Sequence, residues 1–196
     1  MKALIIIGLQ IDLFPLGSAE IEGAEAILPV ANKAISHYDQ LIAARFSHPT
    51  EHKMFVANYP WRRPGQEIDV MGEKILLQHY YCIQGSFGAE LTMGFDHDAI
   101  DFTAWMGTDQ KLLPHSAFFD ENRKLDTGLD EYLKNNKVGE IHLAGLPFEE
   151  TIFQTALDGL ELGYRVGILK DGVQAKSTEK ANNASQILKR KGVEFL

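Results

Sequence analysis

The chain has 196 residues, 45% of them hydrophobic and 23% charged, which suits one α/β domain whose core needs neither disulfides nor a structural metal. Its formal net charge of -8 argues against nucleic acid or an anionic membrane surface as the main partner. A single cysteine, Cys82, excludes an internal disulfide and fits a reducing cytoplasm.

The amino-terminal run Lys2–Leu9 is apolar and β-branched, as a central parallel strand covered on both faces requires, and too short for a secretory signal or a membrane span. Ile27, Ala31, Ala34, Ile35 and Tyr38 then repeat at helical spacing. Gln40–Ala44 predicts a second strand and Asp98–Ala104 a third, with a loop-rich stretch over 45–94 between them. Eight prolines and glycines punctuate that stretch, and loops of this length inside a domain usually form site walls or lids. Leu129–Leu133 predicts a short helix and Glu140–Ala144 a fourth strand. Ile152, Phe153, Ala156, Leu157 and Leu160 mark an amphipathic helix ending near Gly163, a C-cap residue. Arg165–Leu169, a helix over Ser177–Lys191 and Val193–Leu196 complete the series. Alternation of this kind predicts a doubly wound, Rossmann-like parallel sheet of six strands with helices on both faces, and a site at the carboxyl ends of the strands.

Several short signatures lie in order along the chain. They are Gly8-Leu9-Gln10-Ile11-Asp12, His48-Pro49-Thr50-Glu51-His52, Gln84-Gly85-Ser86-Phe87-Gly88-Ala89-Glu90, Gly107-Thr108-Asp109, His115-Ser116-Ala117-Phe118-Phe119-Asp120 and Gln154-Thr155-Ala156-Leu157-Asp158. Together they resemble the nicotinamidases of the isochorismatase-like cysteine hydrolase superfamily, nearly end to end. The resemblance implies a single isochorismatase-like unit over 1–196, with the 45–94 insert forming the site.

It also implies a mechanism in which an aspartate, a lysine and a cysteine attack an amide carbonyl. Here those positions fall on Gly8, Met106 and Thr151. Glycine accepts no proton, methionine carries no charge, and a threonine hydroxyl is a poor nucleophile without an adjacent base. One oxyanion donor of the family falls on Pro147, which has no N–H to give. A cis Leu146–Pro147 bond is expected, since proline relieves the penalty that a cis peptide otherwise carries. The family's metal site is equally incomplete: His48 and His52 match two ligands, but the aspartate falls on Phe46 and the third histidine on Tyr81. Glu51 or His79 could substitute only if the loop shifts. No cofactor is therefore expected, beyond weak binding of zinc, iron or manganese at the vestigial His48 and His52.

The expectation is a nicotinamidase-like protein without amidase activity, a pseudoenzyme that binds a small aromatic or pyridine-like molecule, with a homo-oligomer suggested by the family. Phe14, Phe46, Trp61, Tyr81 and Trp105 are candidates to line its pocket, each equally explicable by packing. The rival is an active hydrolase of C–N amide bonds, using Thr151 with Glu149 or Glu150, using Cys82 near His79, or using metal-activated water. Asp12 reads as structural, and His115 and His142 as ordinary histidines without partners at informative spacing.

Overall fold

The structure, a computed structural model, describes residues 1–70 and 72–196. Six parallel strands form the main sheet: β1 (Lys2–Ile7), β2 (Gln40–Phe46), β5 (Phe102–Met106), β6 (Glu140–Gly145), β7 (Arg165–Val173) and β8 (Glu194–Phe195), in the order β5-β2-β1-β6-β7-β8. A separate antiparallel hairpin pairs β3 (Glu67–Val70) with β4 (Glu73–Leu76). The apolar run Ala3–Ile7 occupies the centre of the sheet, where burial on both faces leaves each residue 0–1% exposed.

Right-handed crossovers place α1 (Leu28–Ile35) on one face and α2 (Leu129–Asn135), α3 (Phe153–Glu161) and α4 (Thr178–Arg190) on the other. A side chain added at Gly159 of α3 would meet Ile141 and Val166, whereas α1 borders His142 and Leu169 on the opposite face. No helix among the described residues is long and apolar enough to cross a membrane.

The predicted elements are recovered with three informative shifts. The third strand of the main sheet starts at Phe102 rather than Asp98, because the Asp101 carboxylate accepts the Leu41 N–H at 2.8 Å and turns the approach into a bend. Strand β7 runs on to Val173, past polar Lys170 and Asp171, since the Gln174 N–H still reaches the Gly145 carbonyl at 3.0 Å. The 45–94 stretch holds the β3–β4 hairpin, which the sequence reading missed. Lys53 anchors it, with its Nζ 2.7 Å from both Glu73 and Glu121.

The carboxyl end of β1 is finished by a side chain. Gly8 sits at φ +69°, so the backbone turns away after donating to the Ala44 carbonyl at 3.0 Å. The buried carboxamide of Gln10 then takes the place of the next peptide: its Oε1 accepts the Phe46 N–H at 2.7 Å and its Nε2 donates to the Phe46 and Ala89 carbonyls at 2.7 and 2.8 Å. The Phe46 N–H and carbonyl, which burial would otherwise leave unpaired, are thereby satisfied, and the Ala89 carbonyl is shared with Arg45 Nη2 at 2.8 Å.

Candidate functional site

Gly8, Phe46, Met106 and Gly145 close the carboxyl ends of β1, β2, β5 and β6, and Thr151 follows β6 by one turn of chain. The topology thus gathers the positions singled out in the sequence at one end of the sheet. β1 and β6 approach so closely there that both ends require glycine. A Cβ at Gly145 (φ +121°) would lie 2.0 Å from the Ile7 carbonyl oxygen, and one at Gly8 would lie 2.4 Å from that of Leu146. Met106 is fully buried.

The Leu146–Pro147 peptide is cis. Pro147 opens a π-type turn over Phe148–Ile152, with the Ile152 N–H donating back to the Pro147 carbonyl at 3.3 Å, and this turn carries Thr151 into α3. Both glutamates beside Thr151 are engaged elsewhere. Glu149 accepts the Lys176 and Ser177 backbone N–H groups at 3.2 and 2.8 Å, and Glu150 pairs with the Lys176 ammonium at 2.8 Å. Among the described residues, neither carboxylate is hydrogen-bonded to the Thr151 hydroxyl.

Cys82 is 0% exposed, and burial followed by the Asp12 carboxylate pushes its thiol well above the usual range, away from the reactive thiolate. Its backbone N–H donates to Asp12 Oδ2 at 2.6 Å, and Asp12 Oδ1 accepts the Ser18 N–H at 3.4 Å. Asp12 is a loop staple. His79, the base proposed for this cysteine, is exposed.

The histidines His48 and His52 do come together, with ring centroids 5.2 Å apart, but inside an aromatic cluster. Phe46, Phe55 and Tyr81 surround His48 at centroid distances of 5.7, 5.7 and 4.9 Å. His48 Nδ1–H donates to the Gly107 carbonyl at 2.9 Å, and burial drives its imidazole down to about 3, so the ring stays neutral. Both nitrogens of His52 are spent: Nε2–H donates to the Leu112 carbonyl at 2.9 Å and Nδ1 accepts the Met54 N–H at 3.3 Å. Only His48 Nε2 is left without a partner. One buried imidazole nitrogen ringed by Phe46, Tyr81 and Phe55 does not fit a divalent ion, and no group of three or more His, Cys, Asp or Glu side chains among the described residues is arranged to hold one. Glu51 accepts the Thr50 hydroxyl and His79 faces solvent, so neither completes the set.

A cavity of about 360 Å³ lies under Thr151. Its apolar wall includes Leu13, Phe46, Met54 and Tyr81, and its polar wall includes Gln78, His115, Gln154 and Lys176. Of the aromatic residues expected to line a pocket, Phe46 and Tyr81 do so. Trp105 does not: strand alternation turns it away from its neighbour Met106, and it lies 44% exposed under the Arg45 guanidinium. Phe14 is buried in the core instead, and Trp61 is fully exposed.

The two histidines read as ordinary both have partners. Tyr38 donates its hydroxyl to His142 Nδ1 at 2.7 Å, and His142 Nε2–H donates to Glu140 at 2.9 Å, far from this cavity. His115 Nε2 lies 3.9 Å from Oδ2 of Asp158, which is 4% exposed. Helical spacing offered a signal, since Thr151, Gln154 and Asp158 fall on one helix face at i, i+3 and i+7.

Asp120, 1% exposed, supports the same region. Its Oδ1 accepts the Gly107 N–H at 3.0 Å, its Oδ2 has no partner among the described residues, and burial raises its carboxyl to about 6. A raised carboxyl favours the folded state while protonated, so this contribution is full below the ordinary aspartate value of 3.8 and is lost as pH rises through about 6. Asp120→Asn is therefore expected to raise stability at pH 7 by on the order of 2 kcal/mol and to leave it unchanged near pH 4, read by urea denaturation at both pH values.

An isochorismatase-domain family model matches residues 2–196. The nicotinamidase of Escherichia coli (strain K12) is 30% identical over 190 residues, covering 93% of this chain and 87% of that protein. PnC1 from L. infantum, solved in complex with nicotinate, has a TM-score of 0.85 at 28% identity, covering 100% of this chain and 92% of that one. The pyrazinamidase of Pyrococcus horikoshii, solved in complex with zinc, has a TM-score of 0.79 at 26% identity, covering 100% and 98%. The fold, the order of the signatures and these matches lead to one assignment: this chain belongs to the isochorismatase-domain family, in its nicotinamidase branch.

Proposed function

We propose that this chain is a nicotinamidase-like protein without amidase chemistry, one isochorismatase-like unit that binds a small pyridine-like or other flat aromatic molecule in the cavity under Thr151. The observation that carries the reading is the backbone at Gly8. Its φ of +69° and the 2.4 Å approach of the Leu146 carbonyl oxygen to a Cβ there leave no seat for a proton-accepting side chain. The neighbouring chemistry agrees: Met106 is a buried thioether, Pro147 offers no N–H, and Thr151 has no base.

Binding is supported by the open 360 Å³ cavity with its aromatic wall, a size at the small end of ligand pockets and suited to a single ring. The complex of the L. infantum relative with nicotinate supports the same ligand class. An active hydrolase with a displaced nucleophile has less in its favour, because the Cys82 thiol is fully buried and the His48–His52 pair is a poor metal site. Nicotinamide and pyrazinamide, incubated with the protein and zinc, iron or manganese, should release no ammonia above a protein-free blank. Sustained release that follows added protein would overturn the proposal.

A further inference from the structure

We propose that two copies of this chain pair through the free edge of β5, antiparallel and about a twofold axis at Ala104, so that their two sheets become one. The inference goes beyond the reading of the cavity and does not depend on it.

The strand order leaves two edges, β8 and β5. The β8 edge is blunted: that strand is two residues long and begins with Glu194. Strand β5 is not. Its five residues, Phe102-Thr103-Ala104-Trp105-Met106, follow β2 in unbroken register and include no charge, proline or glycine. Charges, prolines, bulges and short length are the devices that keep an edge from pairing, and an apolar edge without them is a template for another strand.

Half of the β5 backbone is in use. The Met106 carbonyl accepts the Ser47 N–H at 2.9 Å, so Met106 turns its backbone groups toward β2. Successive residues of a strand alternate between its two edges, which puts the N–H and C=O groups of Thr103 and Trp105 on the free one. Among the described residues, no strand or loop is hydrogen-bonded to them there. The same two residues share a side-chain face, opposite buried Ala104 and Met106, and on that face Trp105 is 44% exposed.

The chemistry of the edge selects a second copy as its occupant. A twofold pair sets like against like, so a charge on the strand would meet its own twin, and β5 carries none. The cation beside it, Arg45, lies over the Trp105 ring at 4.7 Å and is neutralised by Glu90 at 3.0 Å. With the axis at Ala104, Thr103 of one protomer stands opposite Trp105 of the other, and each such pair exchanges both N–H···O bonds. Ala104 then meets itself in the closer pairing without hydrogen bonds, about 4.5 Å between Cα atoms, where a small side chain suits the axis. On the outer face each Trp105 ring gains a cross-strand β-branched neighbour, Thr103, and loses contact with water.

Sedimentation velocity on the full chain tests the proposal, in salt of about 0.15 M, where a screening length of about 8 Å limits repulsion between copies of net charge -8. The 21.9 kDa chain should sediment as a dimer with a Kd of about 10 µM or tighter. Trp105→Lys should weaken the dimer by about ten-fold or more. Thr103→Pro should do the same, because it deletes an N–H that the protomer does not use and proline is tolerated on an edge strand. Leu16→Lys, which adds a charge at a fully exposed residue elsewhere, should leave the dimer unchanged, and circular dichroism melts check that all three variants fold. In the unmodified chain, hydrogen exchange at the Thr103 and Trp105 amides should slow by about ten-fold or more from dilute to concentrated protein. A monomer at about 100 µM, a dimer that both β5 substitutions leave intact, or exchange at these amides that ignores concentration overturns the proposal.

Discussion

Installing the three side chains that the family pattern assigns, as Gly8→Asp with Met106→Lys and Thr151→Cys, is expected to produce no nicotinamide hydrolysis and to lower stability by about 4 kcal/mol or more. The left-handed backbone at position 8 costs a side chain about 1–2 kcal/mol before contacts are counted. The contact is severe, because the new Cβ would lie 2.4 Å from the Leu146 carbonyl oxygen, with Leu13 and Phe46 at 3.2 and 3.3 Å. Main chain must move to relieve it, and the strand ends that would move also carry Gly145. A lysine in place of fully buried Met106 puts an ammonium into a packed seat, a change that costs several kcal/mol unless it is paired at once. Even a thiolate at position 151 would then face an oxyanion position where Pro147 supplies no donor. Urea denaturation and an ammonia assay read the two halves. Turnover in the triple variant at undiminished stability would show that the backbone still accepts the machinery.

A second loss is expected two residues further on, at the same strand end. Gln10→Leu keeps the volume of the side chain but leaves the Phe46 N–H and carbonyl buried without partners, while the Ala89 carbonyl keeps its bond from Arg45 Nη2 at 2.8 Å. At about 1–3 kcal/mol for each of the two orphaned groups, the variant should lose roughly 2 kcal/mol or more, and water entry at the site sets the lower end. Gln10→Glu is the control, since it keeps an acceptor for the Phe46 N–H and sets its second oxygen against two carbonyls; it should be no more stable than the leucine variant. A shift below about 1 kcal/mol in the urea midpoint free energy would mean that the carboxamide does not complete the β1 edge.

How far the sequence could be read follows from where the information resides. The β1 run, the helical stripes and the order of strands and helices rest on local periodicity, and they match the six-stranded sheet within a few residues. The β3–β4 hairpin escaped because Glu67–Val70 and Glu73–Leu76 are only four residues each, carry two charges apiece and are held by a distant lysine, Lys53. At the site, the strand-end positions gathered as expected. Trp105 was misplaced as a pocket residue because one residue of strand separates the two faces of a sheet. His115 looked unpartnered because Asp158 lies 43 positions away, and only the packing of α3 against the 113–123 segment brings them together. The aromatic enclosure of His48 was likewise invisible, since Phe46, Phe55 and Tyr81 converge on it from three separate stretches.

Ammonia release from saturating nicotinamide by the unmodified chain, compared with Thr151→Ala under the same metal supplement, puts the central claim to its most direct test. The two proteins should be indistinguishable from each other and from buffer. An enzymatic rate in the unmodified chain that disappears in Thr151→Ala would mean that the threonine is activated after all, and that the reading of Gly8, Met106 and Pro147 as a dismantled centre is wrong.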